Sequence, residues 1–99
     1  MAAKVKWLRP ALNDLKRTID YIALESPVNA KKINTDIFAR TDKLESFPRR
    51  GSRFGRFQPG REVRQLYVYS WRILYDVSDD EIRILRVIHM SQDLDSIEI

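Results

Sequence analysis

Three residues in one C-terminal run carry most of the chemistry that this chain could do. Arg72, Arg86 and the single histidine, His89, lie within residues 69–89, YSWRILYDVSDDEIRILRVIH. Cleavage of RNA through the ribose 2′-hydroxyl needs a base for that hydroxyl, an acid for the leaving oxygen and cations around the phosphate. His89 could be the acid or base, with Arg72 and Arg86 on the phosphate. On residue type alone a plainer reading is favoured, in which His89 ends a strand and bonds a backbone carbonyl. Arg72 has plain partners too: Asp76, two positions along the same strand face, or Glu62 across a sheet. Tyr75 shares its face with Trp71 and Ile73 and belongs to the core.

Other chemistries are excluded by residue content. The chain has no cysteine and one histidine, so disulfides, thiolate metal sites and multi-histidine metal sites within one chain are ruled out. There is no G-x-S-x-G and no phosphate-binding glycine loop followed by lysine. Gly51, Gly55 and Gly60 do not lead a strand into a helix, so no nucleotide fingerprint exists, and no cofactor or metal is implied. A second candidate surface is electrostatic. Residues 49–64 hold Arg49, Arg50, Arg53, Arg56, Arg61 and Arg64 against the one acid Glu62, a local excess of +5 that leaves the rest of a +4 chain at −1. Concentrated positive charge favours an acidic partner such as nucleic acid, ribosome or an acidic protein face. Arginine's planar fork suits phosphate and carboxylate. A solvated loop is the bland alternative.

These residues must be positioned by strands and helices that the pattern predicts. In residues 71–77, Trp71, Ile73, Tyr75 and Val77 alternate with Arg72, Leu74 and Asp76, the period of a strand. Ser78, Asp79, Asp80 and Glu81 reverse the chain. The near-continuous Ile82, Ile84, Leu85, Val87 and Ile88 suggest a central strand covered on both faces. Residues 62–68 form a further strand, with Val63, Gln65 and Tyr67 on one face. Upstream, residues 4–8 read as a short strand whose lysines suit a sheet edge. A helix follows from Pro10 to Leu24 or Glu25 on the stripe Leu12, Leu15, Ile19, Ile22 and Ala23, with Asp14 and Asp20 facing elsewhere. Ser26 caps a second helix, Pro27 opens it, and its stripe of Ala30, Ile33, Ile37, Leu44 and Phe47 runs to Pro48. Residues 48–60 lose all period and read as a basic loop or irregular strand, with Phe54 and Phe57 as anchors to the core. The acidic tail after His89 reads as a half-turn of helix or a frayed end. Residues 1–99 thus make a single α+β domain: an N-terminal strand and an antiparallel helical hairpin packed on a small antiparallel sheet. No apolar run reaches the roughly 20 residues that span a bilayer, and the N-terminus lacks a signal-peptide core. A cytoplasmic protein is expected.

Taken in order, several stretches resemble the RelE/ParE superfamily of bacterial toxins. SWRILYDVSDDEIRILRVIH is similar to its C-terminal hairpin, ALNDLKRTIDYIALESPVNAKKI to its first two helices, SFPRRGSRFG to its Phe-Pro-x-x-Gly break, and GREVRQL to its glycine-arginine-glutamate strand. The likeness covers nearly the whole chain, and the order and spacing of the motifs are more specific than any one of them.

The resemblance implies the toxin of a type II toxin–antitoxin, or plasmid-stabilisation, module, held in a hetero-oligomer by a cognate antitoxin. RelE-like and YoeB-like members enter the ribosomal A site and cut mRNA, whereas ParE-like members inhibit DNA gyrase. Under the nuclease alternative, Arg72 matches the arginine at the scissile phosphate, with Arg86 beside it, and His89 matches the histidine that some members use as acid or base. The YoeB-like glutamate before the meander is absent, and Met90 and Ser91 stand where a terminal tyrosine would. Ser91 and Gln92 supply no RelE-like basic residue either. The pattern therefore leans towards ParE-like gyrase inhibition, with the six arginines facing the target or its nucleic acid. A groove beside the helix pair, or a free sheet edge at residues 4–8, is expected to receive the antitoxin.

Overall fold

The structure, a computed structural model, describes residues 4–54 and 61–97. Its elements are β1 (Lys4–Trp7), α1 (Arg9–Ala23), α2 (Pro27–Asp42), a 3₁₀ turn (Lys43–Glu45), β2 (Ser52–Arg53), β3 (Glu62–Val68), β4 (Trp71–Val77), β5 (Glu81–His89) and a second 3₁₀ turn (Leu94–Ser96). One five-stranded sheet runs in the order β1-β5-β4-β3-β2. The three pairs from β2 to β5 are antiparallel, but β1 lies parallel to β5, Val5 opposite Ile82. The small antiparallel sheet expected is observed in β2 to β5, and the N-terminal strand joins it in parallel, so the sheet as a whole is mixed. Parallel neighbours need a long crossover, and here two helices and three strands separate β1 from β5. The edge position expected for β1 is observed.

Helix α1 starts from an extended Leu8 with Pro10 in its first turn, where a missing N–H costs nothing. Ser26 caps α2, its Oγ accepting from the Asn29 N–H at 3.1 Å. The α2 stripe holds through Ala30 and Ile37, and Leu44 is buried in the turn that follows. The expected continuous helix to Phe47 is not formed. After Asp42 the chain tightens, the Ser46 and Phe47 N–H groups both donate to the Lys43 carbonyl, and Phe47 ends exposed. A residue before proline is pushed out of helical conformation, and a 3₁₀ turn satisfies the last carbonyls.

The core has two parts, one on each sheet face. Ala11, Leu15, Ile37 and Leu44 from the helical layer pack on Leu66, Val68, Ile73, Tyr75, Ile84 and Val87. On the reverse face Phe54, Val63, Leu74, Leu85, Ile88 and Ile97 form a smaller cluster, with Leu8 and Leu94 against it. Strand β5 feeds both, as its unbroken apolar run predicts. The tail is thus pinned through Ile97, and Phe54 anchors the basic segment to the core. Phe57 lies outside the described residues. Fully buried Tyr75 ties that segment down a second time: its hydroxyl accepts the Gly51 N–H at 2.9 Å and donates to the Pro48 carbonyl at 3.0 Å. Burial pushes the Tyr75 phenol up, so it keeps the proton it donates. A Cβ on Gly51 would stand 2.5 Å from the Gln65 carbonyl oxygen and 2.6 Å from the Tyr75 hydroxyl, which is why glycine is needed at that point.

Candidate functional site

Register decides which of the candidate residues meet. Trp71 pairs with His89, and Arg72 with Ile88. Successive strand residues face opposite ways, so His89 shares the helix-covered face with Trp71, whose ring it meets edge-on at 5.5 Å. Arg72 points to the other side. There its Nη1 donates to Gln65 Oε1 at 3.0 Å, and its guanidinium lies over the Tyr67 ring at 5.3 Å. Its Nε is buried without a hydrogen-bond partner. Neither plain pairing expected for Arg72 is made. Glu62 is held by Arg49 and Arg64, and Asp76 by Arg61 and Arg83.

Arg86 is on the α1 side, for a local reason. The register slips between Leu74, opposite Arg86, and Tyr75, opposite Ile84, leaving Leu85 as an extra residue. Such a bulge redirects side chains. Asp14 on α1 fits against it. Its carboxylate accepts Arg86 Nε at 2.7 Å and Nη2 at 2.9 Å, the Val87 N–H at 3.0 Å and Arg17 Nη2 at 2.9 Å. Asp14 is 5% exposed, which corrects the expectation that it faces away from the core. The signal was present: Asp14 stands three residues after Ala11 and four before Thr18, the spacing of one helical face.

His89 has a defined tautomer. A backbone N–H can only donate, and that of Ser91 reaches His89 Nδ1 at 3.1 Å, with Ser91 Oγ 2.7 Å from the same nitrogen. Nδ1 is therefore the acceptor, and neutral His89 carries its proton on Nε2. The ring's one basic lone pair faces Ser91, so the histidine is not poised as a base. Arg72, Arg86 and His89 do not converge: the sheet lies between the first and the other two. Arg86 and His89 instead line a groove of about 760 Å³ with Asp14, Arg17, Tyr21 and Trp71.

The arginine-rich segment divides. Arg49 grips Glu62 through Nε at 2.9 Å and Nη2 at 2.9 Å. Arg64 bonds Glu62 at 2.7 Å and the Gly51 carbonyl at 2.8 Å. Both hold Glu62 below the ordinary carboxylate range. Arg61 and Arg83 do the same for Asp76, outweighing the burial that would raise it. Arg50 and Arg53 are exposed, and no side-chain partner engages them among the described residues. Arg56 lies outside those residues. Among the described residues no cluster of three metal-ligating side chains occurs, and no helix is long and apolar enough to cross a membrane.

The sequence model for the ParE toxin of the type II toxin–antitoxin system parDE matches residues 5–94. This chain belongs to that family. Eleven chains of known structure match it. One, described as the chromosomal ParDE TA system from P. aeruginosa, is 28% identical with a TM-score of 0.70, over 89% of this chain and 96% of that one. No curated protein sequence matches. The α+β fold and the resemblance read from the sequence are both upheld, and ParE membership implies an antitoxin partner. The helical hairpin on a mixed sheet is thus a ParE scaffold.

Proposed function

We propose that this ParE-family chain acts by binding rather than by cleaving RNA, that its target is DNA gyrase in the cytoplasm, and that a cognate antitoxin neutralises it. One observation carries the reading: the residues that an RNA-cleaving site would need are parted by the sheet. Arg86 is engaged by Asp14, and the His89 lone pair is engaged by Ser91. Arg50 and Arg53, exposed on the segment that Tyr75 and Phe54 fix to the core, supply a cationic surface for gyrase or its DNA.

Pulse-labelling of DNA and protein synthesis minutes after induction in a sensitive host tests the target, alongside a supercoiling assay with purified gyrase. DNA synthesis should stop first, and supercoiling should be inhibited. His89→Ala should keep toxicity, while Arg50→Glu with Arg53→Glu should weaken it. Protein synthesis stopping first, together with loss of toxicity in His89→Ala, would refute the reading in favour of mRNA cleavage on the ribosome.

A further inference from the structure

Among the described residues one non-glycine has a positive φ: Tyr69, at 54°. It opens the two-residue turn between Val68 and Trp71, which pair across β3 and β4. Glycine, asparagine or aspartate ordinarily takes such a position. Backbone held against its preference is found where function requires a particular side chain. The Tyr69 ring is 56% exposed, so packing does not account for it. Its hydroxyl donates to the Asp36 carboxylate on α2. That bond raises the phenol above its ordinary range, so the proton stays in place.

Asp36 is the acid within a row of cations. Lys32 lies four residues before it, Arg40 four after, and Lys43 three further on, the spacing of one helical face. An acid so placed is the ordinary salt-bridge partner of both neighbours. Here it bonds the β3–β4 turn instead, and no side-chain partner engages Arg40 or Lys43 among the described residues. Both are exposed, and both flank the small cavity that Asp36 and Tyr69 line. The nearby acids Asp42 and Glu45 are exposed too and pair with neither cation. The row covers about 16 Å of helix at 1.5 Å per residue and leads on towards Arg50. The Phe47 N–H donates to the Lys43 carbonyl at 3.0 Å, and the Arg50 N–H to the Phe47 carbonyl at 3.1 Å.

We propose that this edge of α2 is a seat for the phosphate backbone of duplex DNA, and that Tyr69 is a positioning residue which draws Asp36 away from Arg40. Cations spread in a row suit a duplex, whose backbone carries one negative charge per about 1.7 Å of axis. The inference rests on the gyrase reading above, since it names DNA as a part of the gyrase complex that the toxin touches, and the two can fail separately.

Fluorescence anisotropy of a labelled non-specific DNA duplex, titrated with the purified toxin between about 50 and 200 mM salt, measures the seat. Arg40→Glu/Lys43→Glu should weaken binding at least about tenfold and flatten the slope of log K against log salt by about 2. Lys4→Glu/Lys6→Glu makes the same change of net charge on β1, at the opposite end of the sheet order from the β2–β3 side, and should leave binding within about threefold. Tyr69→Phe frees Asp36 to pair with Arg40 and should weaken binding about two- to threefold in a protein still folded by circular dichroism. Asp36→Asn in that background should restore it. Equal losses in the two charge-reversal variants, or no binding at low salt, would overturn the seat. Tyr69→Phe binding as tightly as the parent would overturn the role of Tyr69. Duplex bound at this edge by a toxin that leaves gyrase supercoiling untouched would uphold the seat and refute the gyrase reading. Supercoiling inhibited without any DNA binding by the toxin would do the reverse.

Discussion

Asp14 decides whether Arg86 serves the fold or a site, because its carboxylate holds the Arg86 guanidinium through two bonds. Replacing it with alanine removes an acceptor of four donors at 5% exposure. The Val87 N–H donates to this carboxylate at 3.0 Å, and an unsatisfied buried donor costs about 1–3 kcal/mol. Arg86, with a side chain 23% exposed, loses two charge-assisted bonds. Breaking a fully buried pair costs roughly 3–5 kcal/mol, but partial exposure of Arg86 lowers its share. Arg17 is mostly in water, and an exposed pair adds at most about 1 kcal/mol. Together Asp14→Ala should destabilise by about 3 kcal/mol, a large part of the roughly 5–15 kcal/mol that holds a domain together. Urea unfolding at pH 7 followed by far-UV circular dichroism, with the denaturant slope unchanged, measures it. The double variant Asp14→Leu/Arg86→Leu should recover part of the loss, since an apolar pair can replace a buried ionic one, leaving mainly the Val87 N–H unsatisfied. If that double variant is as toxic as the parent, Arg86 serves stability. A cost below about 1 kcal/mol for Asp14→Ala would refute the anchor, and a stable but harmless Arg86→Leu would return Arg86 to the active surface.

Three further outcomes follow from the same geometry. Tyr75→Phe should cost about 1–3 kcal/mol, because it strips a buried hydroxyl from the Gly51 N–H and the Pro48 carbonyl; the thermal midpoint measures it. Gly51→Ala should also destabilise, since the added Cβ meets backbone at 2.5 Å, and in the Tyr75→Phe background it should cost less, as part of the crowding is with that hydroxyl. Acid should unfold the chain through Glu62 and Asp76, whose carboxyls are lowered in the fold by Arg49 and Arg64, and by Arg83 and Arg61. A carboxyl with a lower value in the folded than in the unfolded chain stabilises fully above the unfolded value of about 4. That stabilisation is lost as pH drops through the folded value. Glu62→Gln/Asp76→Asn should therefore lower stability at pH 7 and flatten its fall below about pH 4 in urea titrations.

How much of this was legible in the sequence depends on what periodicity can encode. A period of two located β3 at Glu62–Val68 and placed Tyr75 with Trp71 and Ile73 in the core. The Ser26-Pro27 pair placed the start of α2. Periodicity carries no direction, so nothing in residues 4–8 distinguished a parallel neighbour from an antiparallel one. Nor does it tell an apolar side chain in the core from one at the rim: Leu12 and Phe47 continue the predicted stripes yet are exposed, the first on an open pocket shared by α1 and α2 and the second beyond the point where the helix tightens.

The candidate site failed to assemble for a reason that residue spacing cannot reveal. On paired strands, residues directly opposite each other share a face. Leu74 faces Arg86 and Arg72 faces Ile88, so strict alternation would bring Arg72 and Arg86 to one side, two cations at a scissile phosphate. The extra residue at Leu85 breaks the alternation, and a slip of one residue exchanges the faces of a strand. Arg86 then turns to α1, where Asp14, 72 positions away in sequence, meets it. An arginine in an otherwise apolar strand was legible as a residue in need of a carboxylate; which carboxylate was not, because the choice is made by the bulge. Composition therefore nominated the cations, and an irregularity in β5 turned one of them, Arg86, to Asp14, while Glu62 and Asp76 hold Arg49, Arg64, Arg61 and Arg83.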